Sequence, residues 1–119
     1  MAKEPPARAG REAEDAACAY LTRQGLRLLE RNFRSPWGEI DLVMQDGDGL
    51  VFVEVRLRTR SDFGAPAETV DRAKQARLRA TAEHYLQQVR GASRKACRFD
   101  IVAISGGPDG DLRWLRDAF

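Results

Sequence analysis

The sequence predicts an α/β fold in which helices pack on a central mixed β-sheet. Three observations carry this reading. A first stretch has helical apolar spacing. Two runs rich in β-branched residues flank the turn-forming Asp46-Gly47-Asp48-Gly49 and read as a β-hairpin. A second helical stretch then separates that hairpin from a further Ile/Val-rich strand. A hairpin is antiparallel, whereas strands joined through a helix can pair in parallel, so the sheet is mixed. At 119 residues, 43% of them hydrophobic and 32% charged, the chain is sized for one soluble domain with one core.

Residues 1–7, with Pro5-Pro6, are expected to form a disordered tail ahead of a single domain spanning 8–119. From Arg8 to Gln24 the set Ala13, Ala17, Tyr20 and Leu21 follows helical spacing, and Gly25 stands beyond it as the stop. Leu26 to Arg34 reads as a short extended segment leading into Ser35-Pro36-Trp37-Gly38. The hairpin strands follow: Gly38-Glu39-Ile40-Asp41-Leu42-Val43, then Val51-Phe52-Val53-Glu54-Val55-Arg56-Leu57-Arg58. Ser61 to Pro66 is a polar loop. A helix is expected from Val70 to Arg90, capped by Thr69 or Asp71, with the stripe Leu78, Ala82, Tyr85, Leu86 and Val89. Projected back one turn, that stripe brings Lys74 and Gln75 to an edge from which they reach the sheet. His84 falls off the stripe and reads as a surface residue. Arg98 to Ser105 is the third strand, the stretch from 106 to 110 a turn, and Leu112 to Leu115 a short last strand packed through Trp114.

Several function classes drop out early. No apolar run approaches the ~20 residues that span a bilayer, and the start of the chain lacks the apolar centre of a signal peptide. No membrane partner and a cytoplasmic location are therefore expected. Cys18 and Cys97 lie far apart without metal-ligand spacing and read as reduced thiols. Asp46-x-Asp48-Gly49 lacks the later oxygen ligands of a calcium loop and reads as turn chemistry.

The hairpin carries charges where a core strand should not. Alternation sets Glu39 and Asp41 on one face against Ile40 and Leu42 on the other, and Glu54 and Arg56 against Val53 and Val55. Carboxylates are costly to bury unless they are paired or hold a metal. If the strands are antiparallel neighbours, Asp41 and Glu54 meet on one face near a strand end. Two carboxylates plus a substrate phosphate are what Mg²⁺ prefers, and such an ion can activate water for attack on a phosphodiester. Ordinary surface ion pairs are the alternative. Charge is also unevenly spread: net charge is only +2, yet ten Lys/Arg stand against five acids from Leu50 to Lys95, among them Arg58, Arg60 and Arg72 as candidate nucleic-acid contacts. Glu14, one turn before Cys18, borders the buried stripe of the first helix.

These pieces resemble the PD-(D/E)xK nuclease superfamily, in which an acid ends one strand and Glu-x-Lys lies on the next. More closely, the chain resembles the YraN family of bacterial predicted endonucleases, similar to archaeal Holliday-junction resolvases. The matching pieces are Gly10-Arg11-x-x-Glu14; Arg31-Asn32; Gly38-Glu39-Ile40-Asp41-Leu42; Val51-Phe52-Val53-Glu54-Val55-Arg56; Lys74; Arg98-Phe99-Asp100-Ile101-Val102; and Arg116-Asp117-Ala118-Phe119. The resemblance implies a restriction-endonuclease-like three-layer fold and a DNA endonuclease that uses Mg²⁺ or Mn²⁺, acting on branched or structured DNA. Asp41 and Glu54 would be its metal ligands, Glu14 a third acid, and Glu39, Lys74 and Gln75 supporting residues. Symmetric cutting of two strands would require a homodimer with two-fold symmetry. One position departs from the pattern: the superfamily's lysine is Arg56 here. An arginine stays protonated, so it can hold a phosphate oxygen but is a poor general base. The alternative reading is therefore a non-catalytic nucleic-acid-binding domain that keeps the nuclease fold.

Overall fold

Helix α1 (Pro6–Arg23) is followed by three strands, β1 (Arg27–Ser35), β2 (Gly38–Asp46) and β3 (Gly49–Arg58), then helix α2 (Arg72–Gln88), a 3-10 turn at Ala92–Arg94, and strands β4 (Cys97–Ser105) and β5 (Leu112–Leu115). The computed structural model describes residues 6–58, 70–105 and 111–119. The loop expected over Ser61–Pro66, the turn at 106–110 and the first five residues of the expected tail lie outside them. Helix α1 begins at Pro6, two residues ahead of the expected Arg8.

The five strands form one sheet in sequence order. β1, β2 and β3 run antiparallel to one another, β3 and β4 are parallel, and β5 returns antiparallel. The expected mixed sheet is therefore present, with α2 in the connection that a parallel β3–β4 pair requires. One face carries Ala17 and Leu21 of α1 over Leu42, Met44, Val51, Val53 and Val102. The other carries Leu78, Ala82 and Tyr85 of α2 over Phe33, Ile40, Val43, Phe52 and Ile101. The result is a three-layer α/β/α arrangement.

Local chemistry accounts for the element ends. Gly25 has φ +100°, which favours glycine. Around it the Leu26 N–H donates to the Leu21 carbonyl and the Gly25 N–H to the Thr22 carbonyl, while Leu26 and Leu21 share a core. That is the Schellman end of α1, closed by an apolar contact. Asp71 caps α2 by accepting from the Lys74 N–H at 2.8 Å; the helix is shorter than the expected Val70–Arg90. Thr81, absent from the expected stripe, is fully buried in α2, bonds back to the Arg77 carbonyl and lies 2.8 Å from Ser35 Oγ. Val89, expected within the stripe, is exposed.

At the far edge, fully buried Asp100 accepts from Arg98 Nε and Nη2, Trp114 Nε1 and the Asp117 backbone. Arg98 also reaches Asp46 in the β2–β3 turn. This network ties β4, β5, the hairpin turn and the C-terminal residues together, and each charge in it is matched by donors or a partner.

β1 is a nine-residue edge strand, shifted by one residue from the extended segment expected over Leu26 to Arg34. Only Phe33 of it is buried. β2 departs from strict alternation, which corrects the expectation that Ile40 and Leu42 share a face. Ile40 packs beneath α2, whereas Leu42 packs beneath α1. The phase changes at Asp41. Opposite it on β1 sits Asn32, at φ +53°, where the β1–β2 pairing skips one residue pair. A left-handed residue in an edge strand kinks the ladder locally and turns the next side chain over.

Candidate active site

The β2–β3 ladder runs from Asp46↔Gly49 up to Leu42↔Val53 and stops there. Beyond it β2 stays with β1, β3 stays with β4, and the two halves part. Asp41 and Glu54 are the first residue on each side of the split. Since Phe52 faces α2, Glu54 two residues on faces α2 as well. Asp41 replaces the missing ladder bond: its Oδ2 accepts from the Val55 N–H at 2.8 Å.

Both carboxylates line a pocket of about 240 Å³ together with Gly38, Glu39, Lys74, Arg77 and Leu78. Glu54 is buried, at 5% exposure, and its Oε2 pairs with Lys74 Nζ at 2.5 Å. Asp41 is largely enclosed, and its pKa is pushed up from 3.8 to about 8. Burial is the main cause, and the Glu54 carboxylate across the split comes next. The Val55 N–H works the other way, and Glu14 and Glu39 add to the rise. A carboxyl so perturbed in a cleft is a candidate functional group.

Around this pair the other sequence-selected residues fall into distinct positions. Glu14 reaches the region from α1, with Asn32 Nδ2 donating to both its oxygens at 3.0 and 3.2 Å and Arg31 3.5 Å away. Its field is felt at Asp41, but it does not line the pocket. Glu39 lines the pocket and lies 3.9 Å from Arg34. Gln75 turns its amide onto the Val70 carbonyl and is not among the described lining residues. Arg56 is half-buried on β3 beside Ala103 of β4 and is likewise not among them. Arg72 is exposed at the start of α2. Arg60 and the Arg58 side chain lie outside the described residues.

Two contributors escaped the sequence reading. Arg77, counted there only as part of a basic stretch, lines the pocket one turn after Lys74. Asn32 was visible only as a neighbour of Arg31, yet it both kinks β1 and orients Glu14.

Among the described residues no three His, Cys, Asp or Glu side chains converge as a complete metal cage. Two acids facing one pocket still match a hard cation that keeps most of its waters.

A model of the family described as "Uncharacterised protein family UPF0102" matches residues 13–104. The chain belongs to the UPF0102 family. This agrees with the YraN resemblance read from the motifs. A UPF0102 protein of Nitrosococcus oceani is 51% identical over 111 residues, covering 92% of this chain and 90% of that one. Another, from Pseudomonas savastanoi pv. phaseolicola, is 47% identical over 121 residues, covering 100% of this chain and 98% of its own length. Among solved structures, "The structure of Pyrococcus Furiosus SfsA in complex with Ca2+" is similar with a TM-score of 0.40 at 10% identity, over 89% of this chain and 63% of that chain. In this UPF0102 chain the matched segment contains Glu14, Asp41, Glu54, Lys74 and Arg77. No described helix is long and apolar enough to cross a membrane.

Proposed function

We propose that this protein is a metal-dependent DNA endonuclease, hydrolysing phosphodiester bonds with Mg²⁺ or Mn²⁺ held between Asp41 and Glu54. The observation that carries the reading is the split between β2 and β3. It brings two enclosed carboxylates to one pocket at an electrostatic cost visible in the raised pKa of Asp41. A divalent cation removes that cost, and Mg²⁺ takes one or two carboxylates, several waters and a phosphate oxygen. When bound, such an ion stabilises charge on a phosphodiester and lowers the pKa of water. The resemblance to PD-(D/E)xK nucleases and the restriction-endonuclease-like layering of two helices about a mixed sheet support the same assignment.

The remaining roles follow from the side chains. Lys74 balances Glu54, and its ammonium and the Arg77 guanidinium are the cations among the described lining residues that can hold phosphate oxygens. Lysine can exchange a proton where arginine cannot. Lys74 is therefore better suited than Arg56 to the part of the superfamily's lysine. Asn32 and Arg31 steady Glu14, whose charge favours a cation nearby. A DNA substrate implies a cytoplasmic protein, and symmetric cutting of branched DNA implies a two-fold dimer.

One observation favours a second reading, a DNA-binding domain without catalysis: Lys74 already neutralises Glu54. Incubation with plasmid and branched DNA in Mn²⁺ or Mg²⁺ separates the two. Metal-dependent cutting that vanishes in Asp41→Ala and in Glu54→Ala supports the enzyme. DNA binding with no cutting in any metal leaves the binding domain.

A further inference from the structure

Beside the acid pocket an aromatic ring is held out into solvent. Trp37, in the turn between β1 and β2, is 52% exposed, more than any other large hydrophobic residue described. Its neighbours in sequence, Gly38 and Glu39, line the pocket, as does Arg77. The turn is firmly seated. The Trp37 N–H donates to Ser35 Oγ at 3.1 Å, Ser35 Oγ lies 2.8 Å from the Thr81 hydroxyl, and that hydroxyl bonds the Arg77 carbonyl. Gly38 lies beside Arg77 and Thr81, where an added Cβ would make ordinary van der Waals contact at 3.5 Å with the threonine hydroxyl. The indole packs edge-on against His84, with centroids 5.8 Å apart, and His84 is braced by Phe33 and Gln88. A tryptophan fixed by its backbone and one edge keeps little rotamer entropy to lose on binding.

The aromatic partner described for this ring is His84, itself only half-buried, and half of the indole stays exposed. Resting on the endonuclease reading above, we propose that Trp37 is a stacking platform for an unpaired nucleobase next to the scissile phosphate. Aromatic faces beside cationic grooves hold unpaired bases without reading sequence. Arg77 supplies charge at the pocket, and Arg34, strongly exposed, offsets Glu39 at the same rim. A paired base inside a duplex hides its faces in the stack, so the platform selects DNA with unpaired bases at a branch, fork or flap. It thereby supplies a preference for shape rather than sequence.

The test is equilibrium binding by fluorescence anisotropy, in EDTA so that nothing is cut. It compares a forked duplex carrying unpaired arms with a fully paired duplex of the same length. Wild type binds the fork more tightly. Trp37→Ala loses roughly tenfold on the fork and little on the duplex, Trp37→Phe recovers part of the loss, and both variants melt close to wild type. Equal losses on the two DNAs, or no loss on the fork, overturn the platform while leaving DNA binding intact. A wild-type mass in light scattering that halves in Trp37→Ala assigns the ring to a contact between copies and also overturns it. If wild type binds neither DNA in EDTA nor with Ca²⁺ in its place, the function proposed above falls together with the platform.

Discussion

Replacing Asp41 with Asn should stabilise the metal-free protein while removing its metal response. The folded carboxyl titrates at about 8 and its ordinary value is 3.8. Because the folded pKa is raised, the unfolded chain holds fewer protons between those values. This group's contribution is therefore fully present below about pH 4 and is lost as pH rises through about pH 8. By pH 7 about 4 kcal/mol of this contribution has been lost, and water entering the pocket reduces that to about 2 kcal/mol. Asn keeps an oxygen for the Val55 N–H and carries no charge to bury. Thermal melts in EDTA from pH 5 to 9 check this. Asp41→Asn should gain roughly 6–10 °C over wild type at pH 8 and distinctly less at pH 5. Adding Mn²⁺ should raise the wild-type Tm at pH 8 and leave the variant unmoved. A variant less stable than wild type at pH 8, with parallel pH slopes, would refute the buried-carboxylate reasoning.

Other perturbations have equally defined outcomes. Lys74→Ala removes the cation that competes for Glu54, so Mn²⁺ affinity by calorimetry should rise about fivefold, with DNA cleavage reduced; unchanged affinity would separate Lys74 from the metal site. Asn32→Ala should cost about 1–2 kcal/mol in a urea melt, since alanine dislikes φ +53° and Glu14 loses its donor. Asn32→Gly should recover the backbone part, and identical losses would argue against the strain. Asp100→Ala leaves Arg98 and Trp114 Nε1 without their buried acceptor and should destabilise by about 3–5 kcal/mol, with no specific effect on metal affinity in the fraction that folds.

The parts of this structure that could be read in the sequence are those fixed by local chemistry. Asp46-Gly47-Asp48-Gly49 demands a turn, and Gly47 takes φ +61° there. Gly25 ends α1 because only a residue at ease at positive φ closes that end. Lys74 was within reach because the spacing of Leu78 and Ala82 fixes the direction of the residue one turn earlier. The features that escaped are tertiary. Strict alternation cannot report a phase change, and the one that separates Ile40 from Leu42 lies at Asp41, opposite Asn32 of another strand. Thr81 is polar and would be scored as surface, yet Ser35 from another element satisfies it in the interior. The composition of β1, with charges on both faces, is that of an edge strand, whose pairing needs only one partner. For the site, the acids were legible as misplaced charges. That their strands part where they stand was not, because ladder termination depends on what each strand pairs with on its other side.

The central claim is that Asp41 and Glu54 hold a divalent cation at the split between β2 and β3. A crystal soaked in Mn²⁺ and measured for anomalous scattering tests it most directly. A manganese peak should lie between the two carboxylates, with the Lys74 ammonium withdrawn from Glu54. An empty gap with Lys74 still bound to Glu54 at saturating Mn²⁺ would contradict it.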